Sequence, residues 1–280
     1  MSTHNAIKRV VLCADDFGMS PTIDTGIIRL AEQGRISAAS CLSYGPTFVS
    51  NGPALAETGA QLGLHLNFTE PLGQVGLYLP LAALIRHAYL RRLDMQAVRT
   101  QIIRQLDRFE SVLGRQPDFV DGHQHVHQLP QIRRALLDLL ALRYRGRAHP
   151  WLRNTRAVAA SGASLPHRGK AFLIQALGAG AFSRRAIQLG FSLNARFAGV
   201  YDFQGGETAY RALLEAWLQQ VGEGDLLMCH PAAQVDPADP LGRQRHAEFK
   251  VLSGDDAGRW MDQNKIQPHL PRLRNNVGLT

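Results

Sequence analysis

The chain has 280 residues, with 31 Lys or Arg against 23 Asp or Glu, a formal net charge of +8. Apolar residues make up 45% and charged residues 19%, an ordinary globular balance that excludes a disordered chain. The longest uncharged, mostly apolar stretch, Ala171 to Phe182, is too short to span a bilayer. The three cysteines, Cys13, Cys41 and Cys229, cannot form a disulfide framework.

The first residues lack the length and cleavage site of a secretory leader, so a cytoplasmic location is expected. Only Lys8, Lys170, Lys250 and Lys265 are lysine, so the basic excess is almost all arginine. No Lys/Arg run exceeds two residues and no aromatic interleaving suggests base stacking. The arginines, including Arg86, Arg91, Arg92 and Arg99, therefore read as solvated helix faces, with no nucleic-acid partner.

In chain order, Ile7 to Cys13 reads as a buried strand. Ser20-Pro21 supplies an N-cap and a first-turn proline, and Ile23, Ile27 and Leu30 continue at helical spacing to Gly34. Ile36 to Leu42 reads as a strand, Phe48 to Glu57 as a helix and Gln61 to Asn67 as a third strand. Leu79 to Leu113 is helical with a break near Arg92. Asp118 to Gly122 is a strand, and Leu129-Pro130 opens a helix to about Arg143. Trp151 to Asn154 suggests another strand, and Lys170 to Leu189 and Thr208 to Val221 suggest helices. Asp225 to Cys229 is a buried strand, followed by helices near Arg243 to Leu252 and Asp255 to Asp262 and a polar tail from about 263. Strands alternating with helices imply a parallel sheet. The number of units favours one α/β domain over 1–280, an irregular or incomplete (β/α) barrel.

The informative residues follow the strands. Asp15-Asp16 ends the first, His65 lies near the end of the third, Asp121-Gly122-His123-Gln124-His125-Val126-His127 ends the fourth, and Cys229-His230 ends the last. In parallel barrels these ends form one rim, where sites are built. Two adjacent carboxylates repel, so a metal ion would stabilise one while the other takes up protons. If the chain stays extended, alternation puts Asp121, His123, His125 and His127 on one face. Imidazoles in such a run can bind a metal, bind substrate or orient a ligand from behind. His4, His87, His149, His167, His246 and His269 read as surface residues. Cys13 and Cys229 read as small buried hydrophobes. No GxSxG elbow, P-loop or dinucleotide fingerprint is present, and Gly178-Ala179-Gly180 falls inside a predicted helix.

The blocks ADDFGMS at 14–20, GLHLNFT at 63–69, DGHQHVHQLPQI at 121–132 and MCHPA at 228–232 resemble the YdjC family of carbohydrate deacetylases, in order and spacing over roughly residues 7 to 252. That family includes chitooligosaccharide and hopanoid-associated deacetylases. The resemblance implies an irregular (β/α) barrel and metal-dependent hydrolysis of the acetamide of an N-acetylated amino sugar; whether the sugar is linked to a lipid or nucleotide is left open by the sequence. It implies Asp16, His65 and His123 as ligands of one divalent ion and Asp15 as general base. His230 falls, more loosely, where related deacetylases carry a general acid, and Asp121, His125 and His127 remain for substrate binding or support. A homodimer is compatible with the resemblance. Two positions depart from the pattern: Cys13 replaces the usual Asn, and Ala232 the usual Gly after His-Pro. The segment from Tyr144 to Gly199 matches no motif.

The implied chemistry is coherent, because a divalent ion can acidify water and polarise a carbonyl. Two imidazoles and a carboxylate suit Zn2+, Mn2+ or Co2+, and Mg2+ with added waters. Two other readings compete. His-x-His-x-His would suit a two-metal phosphoesterase, and the Arg excess would suit a non-enzymatic binder of an anionic glycan.

Overall fold

The computed structural model describes residues 6–158 and 165–268, with no side-chain description for 165–168, 170 and 171. Its strands are β1 (Lys8–Phe17), β2 (Ala38–Cys41), β3 (Gln61–Leu66), β4 (Phe119–Gly122), β5 (Trp151–Leu152), β6 (Phe197–Ala198), β7 (Leu226–Cys229) and β8 (Ile266–Pro268). The helices are α1 (Pro21–Glu32), α2 (Phe48–Glu57), α3 (Leu81–Tyr89), α4 (Met95–Leu113), α5 (Pro130–Arg143), α6 (Leu165–Ala176), α7 (Ala179–Gln188), α8 (Gly206–Gln220), α9 (Gly242–Ser253) and α10 (Asp255–Gln263). Among the described residues, no helix is long and apolar enough to cross a membrane.

The strands pair in the order β5-β4-β3-β2-β1-β7-β6, with β8 added against β1. Every pairing is parallel. The sheet curls into an incomplete (β/α) barrel. Isolated parallel bridges join Leu152 of β5 to Leu193, ahead of β6, and Phe197 of β6 to Ala157, beyond β5.

The period-2 alternation of each strand separates two packing layers. Val10, Leu12, Ala14, Leu62, Leu64, Leu66, Val120, Leu152, Leu227 and Cys229 pack outward into the large core shared with the helices. Val11, Cys13, Ala38, Phe119, Trp151, Phe197, Leu226 and Met228 form a smaller cluster on the opposite face, inside the curl. Gly63 belongs to that inner layer. A Cβ there would lie 2.2 Å from the Phe119 ring, which stacks on Trp151 at 4.4 Å.

Several boundaries differ from the sequence expectation. Lys170 to Leu189 is two helices, not one, broken at Gly178, whose φ of +131° also removes Gly178-Ala179-Gly180 from a helix interior. β6 is only two residues long and carried no signal. Ile266–Pro268, expected as tail, pairs with Lys8–Val10 of β1.

Candidate functional site

Strand parity builds most of the site. Continuing the inner layer toward the C-terminal ends gives Asp15 after Val11 and Cys13, Ser40 after Ala38, and His65 after Gly63. It likewise gives Asp121 and His123 after Phe119, Arg153 after Trp151, and His230 after Leu226 and Met228. Asp16 has the wrong parity. The register between β1 and β2 shifts there: Ala14 pairs with Ala39 but Phe17 pairs with Cys41, so two aspartates oppose one serine. Asp16 adopts φ +71°, a left-handed conformation that aspartate tolerates better than most residues. This bulge re-aims the second carboxylate into the same pocket as the first.

Two clusters result. In the first, Asp16, His65 and His123 are all buried, and their candidate ligand atoms lie within 4.8 Å of one another. His123 Nδ1 is 2.9 Å from Asp16 Oδ1 and His65 Nε2 is 3.4 Å from the same oxygen. The other nitrogen of His65, Nδ1, lies 2.7 Å from Asp121 Oδ1 and 2.8 Å from Ser40 Oγ, and the Ser40 hydroxyl donates to Asp121 at 2.5 Å. Asp121 therefore fixes the His65 ring so that Nε2 faces Asp16, the usual support for an imidazole ligand. Burial opposes charge on His65, yet Asp121 and Asp15 raise it to about 10. Burial would likewise raise the Asp16 carboxyl, but Arg245 and His123 hold it well below the usual carboxylate range. Arg245 Nη2 donates to Asp16 Oδ2 at 2.7 Å, leaving Oδ1 toward the imidazoles. Two imidazole nitrogens and one carboxylate oxygen, buried and convergent, fit a divalent ion.

The second cluster, Cys13, Asp15 and Asp121, has the same kind of spacing but holds a guanidinium. Arg153 Nη1 and Nη2 donate to the two oxygens of Asp15, each at 2.6 Å. Nη2 also lies 2.6 Å from Asp121 Oδ2 and 3.2 Å from Cys13 Sγ. Arg153 is fully buried, and a bidentate Arg–carboxylate pair fixes carboxylate orientation strongly.

The extended-chain expectation for the histidine run fails after His123. Residues His123–Gln128 form a 3-10 turn in which Gln124 and His125 have φ of +52° and +59°. The turn sends the last two imidazoles away from the triad. His127 is buried and donates from Nε2 to the Arg153 carbonyl at 3.0 Å, with its ring edge-on to Phe182. His125 packs edge-on to Phe197. Burial pulls His127 down to about 4, and burial together with Arg153 holds His125 well below its ordinary value. Neither ring shares the Asp16 cluster, and His127 instead supports the backbone of Arg153.

His230 stands near Asp15, its Nε2 4.0 Å from Asp15 Oδ2. Burial lowers it to about 4. Its backbone N–H donates to Glu248 Oε2 at 2.6 Å, and Tyr201 donates to Glu248 Oε1 at 2.5 Å. Ala232 does not occupy a positive φ, so the turn behind His230 needs no glycine. Cys13, Cys41 and Cys229 are free and buried, with thiols pushed up by burial.

Arg153, Arg245, Ser40 and Glu248 join the site without a sequence motif to mark them. Arg153 was within reach, since Trp151 to Asn154 reads as a strand and Arg153 is at its end. Arg245 and Glu248 come from helix α9 and carry no pattern. The solvated reading of the arginines fails for Arg153 and Arg245. The surface reading of the remaining histidines also needs correction. His149 is half-buried against Phe191, and half-buried His246 donates from Nδ1 to the Ala232 carbonyl at 3.3 Å. His87 is half-buried in α3. His4, His269 and the His167 side chain lie outside the described residues.

The molecule is thus a parallel α/β incomplete barrel with a carboxylate–imidazole site at the strand ends. The model of the YdjC-like protein family matches residues 9–263, and the chain belongs to that family. A carbohydrate deacetylase of Mus musculus is 28% identical over 92% of both chains. A chitooligosaccharide deacetylase of Serratia marcescens is 30% identical over 45% of this chain and 53% of its own. A solved structure from Enterococcus faecalis, described as a candidate cellobiose-phosphate cleavage protein, superposes with a TM-score of 0.64 at 20% identity. It covers 94% of this chain and 97% of that one, which shows the shared fold.

Proposed function

We propose that the protein is a metal-dependent N-deacetylase of an N-acetylated amino sugar. The observation that carries this reading is the convergence of Asp16, His65 and His123 beside Asp15, in a chain whose relatives are named carbohydrate deacetylases. Asp16, His65 and His123 would hold the ion, for which Zn2+, Mn2+, Co2+ and Mg2+ are the candidates. Bound there, a divalent ion supplies Lewis-acid polarisation of the acetamide carbonyl and a more acidic water.

The chain's own groups do the proton work. Asp15 accepts the proton of the attacking water, and Arg153, gripping both its oxygens, sets its orientation. The leaving amine needs a proton. His230 is neutral at pH 7 in this pocket, so it must receive the proton it donates. Asp15 Oδ2, 4.0 Å away, is the carboxylate placed to relay it. Asp121 and Ser40 keep His65 aligned, and His127 steadies the Arg153 backbone.

The two-metal phosphoesterase reading loses support because the second acidic cluster already contains the Arg153 cation and the last two imidazoles of the run turn away. The test is acetate release from N-acetylglucosamine, N-acetylated chitobiose and lipid- or nucleotide-linked forms, with chelator and with each ion. Metal-dependent release supports the reading, and the preferred compound identifies the carrier. A bound ion with no release from any compound would discard the substrate class.

A further inference from the structure

Away from this pocket, a groove of about 420 Å3 is lined by Arg91, Pro130, Arg133, Arg134, Asp138 and Arg185. It is formed by the α3–α4 turn, the start of α5 and the middle of α7. Four guanidinium groups face one carboxylate. Asp138 is shared at long range, 3.8 Å from Arg99 and 4.0 Å from both Arg134 and Arg185. Among the described residues, Arg91 and Arg133 have no carboxylate partner. Arg133 donates only to the Gln128 carbonyl, at 3.3 Å. Burial and the nearby Arg91 and Arg184 pull Arg133 below its ordinary value, so folding crowds like charges here.

Two backbone features add to the positive field. α5 starts at Pro130 with no side-chain cap from Leu129, leaving first-turn N–H groups without intrahelical partners. Arg91 adopts φ +57°, a costly conformation for a residue other than glycine, and one that tends to be kept where a side chain is being aimed.

We propose that this groove binds a phosphoryl group, a phosphate monoester or diester carried by a partner molecule, through Arg91, Arg133 and Arg185. Guanidinium forks match phosphate oxygens two at a time, and a phosphoryl anion would offset part of the positive charge that Asp138 leaves over. The groove shares no residue with the Asp15–Asp16 constellation, so the inference stands apart from the deacetylase reading. The phosphoryl group can come from a soluble ester or from a lipid headgroup. Tyr89 and Leu90, 47% and 54% exposed beside Arg91, would meet the lipid in the second case.

The experiment uses the full chain stripped of metal with chelator, so that the anion has no ion to bind. Inorganic pyrophosphate is titrated calorimetrically, and co-sedimentation is measured with vesicles of phosphatidylcholine alone or mixed with phosphatidylglycerol. The expected result is saturable, salt-sensitive binding in one arm, weakened about tenfold or more by Arg133→Gln with Arg185→Gln. The responding arm identifies the source. Arg91→Gln with Arg185→Gln, both exposed, repeats the test without touching half-buried Arg133, and thermal melting confirms that both variants fold. Metal-dependent acetate release from a neutral sugar should be unchanged in both. Equal binding by the variants, or no saturable binding to either probe, would overturn the proposal.

Discussion

The pocket holds two acidic clusters of similar spacing and burial, and they differ in what compensates their charge. Asp15 and Asp121 share Arg153, a cation covalently part of the chain, and Asp121 also pairs with His65. Asp16 faces two imidazoles, with one oxygen taken by Arg245 and the other turned toward His65 and His123. The first arrangement fixes a carboxylate in place, and the second leaves donors convergent on a small volume. The same residue types thus yield a carboxylate of fixed orientation in one cluster and a candidate ion site in the other.

The most damaging way to break this contrast is to remove the internal cation. Arg153→Met strips buried Asp15 of its guanidinium partner and leaves Asp121 with His65 alone, and should cost about 3–5 kcal/mol in urea unfolding. His123→Ala should cost far less stability while abolishing ion uptake in a calorimetric titration. A second prediction separates roles across the clusters: Asp15→Asn should keep the ion but lower turnover by about 10²–10⁴-fold. Full activity in that variant would remove Asp15 as the base.

Smaller effects sharpen the comparison. Asp121 touches both clusters, since it orients His65 and pairs with Arg153. Asp121→Asn should weaken ion affinity by about 10–100-fold, measured by competition with a metallochromic chelator. The pH dependence concerns the imidazole that turned away. His127 titrates near 4 in the folded state against an ordinary 6.5, so it is neutral when folded. Its contribution to stability is fully present above pH 6.5 and is lost as pH falls through about 4. Replacing it with Phe should flatten that part of the acid limb in denaturant midpoints followed against pH. An unchanged limb would mean that His127 is not the group responsible.

Much of this contrast was legible in the sequence because strand parity is a strong code. Once β1, β3, β4 and β7 are recognised, Asp15, His65, Asp121, His123 and His230 follow as inward residues at one rim. What parity cannot see is a change of backbone region without glycine. Asp16 at φ +71° and the Gln124-His125 pair both take left-handed conformations in non-glycine residues. The first brings a carboxylate in and the second takes two imidazoles out. Short strands were also hard to read, because β6 and β8 offer two and three residues, too few for a periodicity. Arg245 lies one turn into α9 among polar neighbours, and only the fold brings it to Asp16. Arg153 is obscured for a different reason: in composition it is one arginine of a basic excess spread over helix faces, and only its place at the end of β5 sets it apart.

The measurement that tests the account most directly is ion stoichiometry by native mass spectrometry, on the wild type and on His123→Ala, after dialysis against each candidate divalent ion. One ion per chain is expected in the wild type and none in His123→Ala. Two ions per chain in the wild type, or one retained without His123, would contradict the division between a cluster that holds an ion and a cluster filled by Arg153.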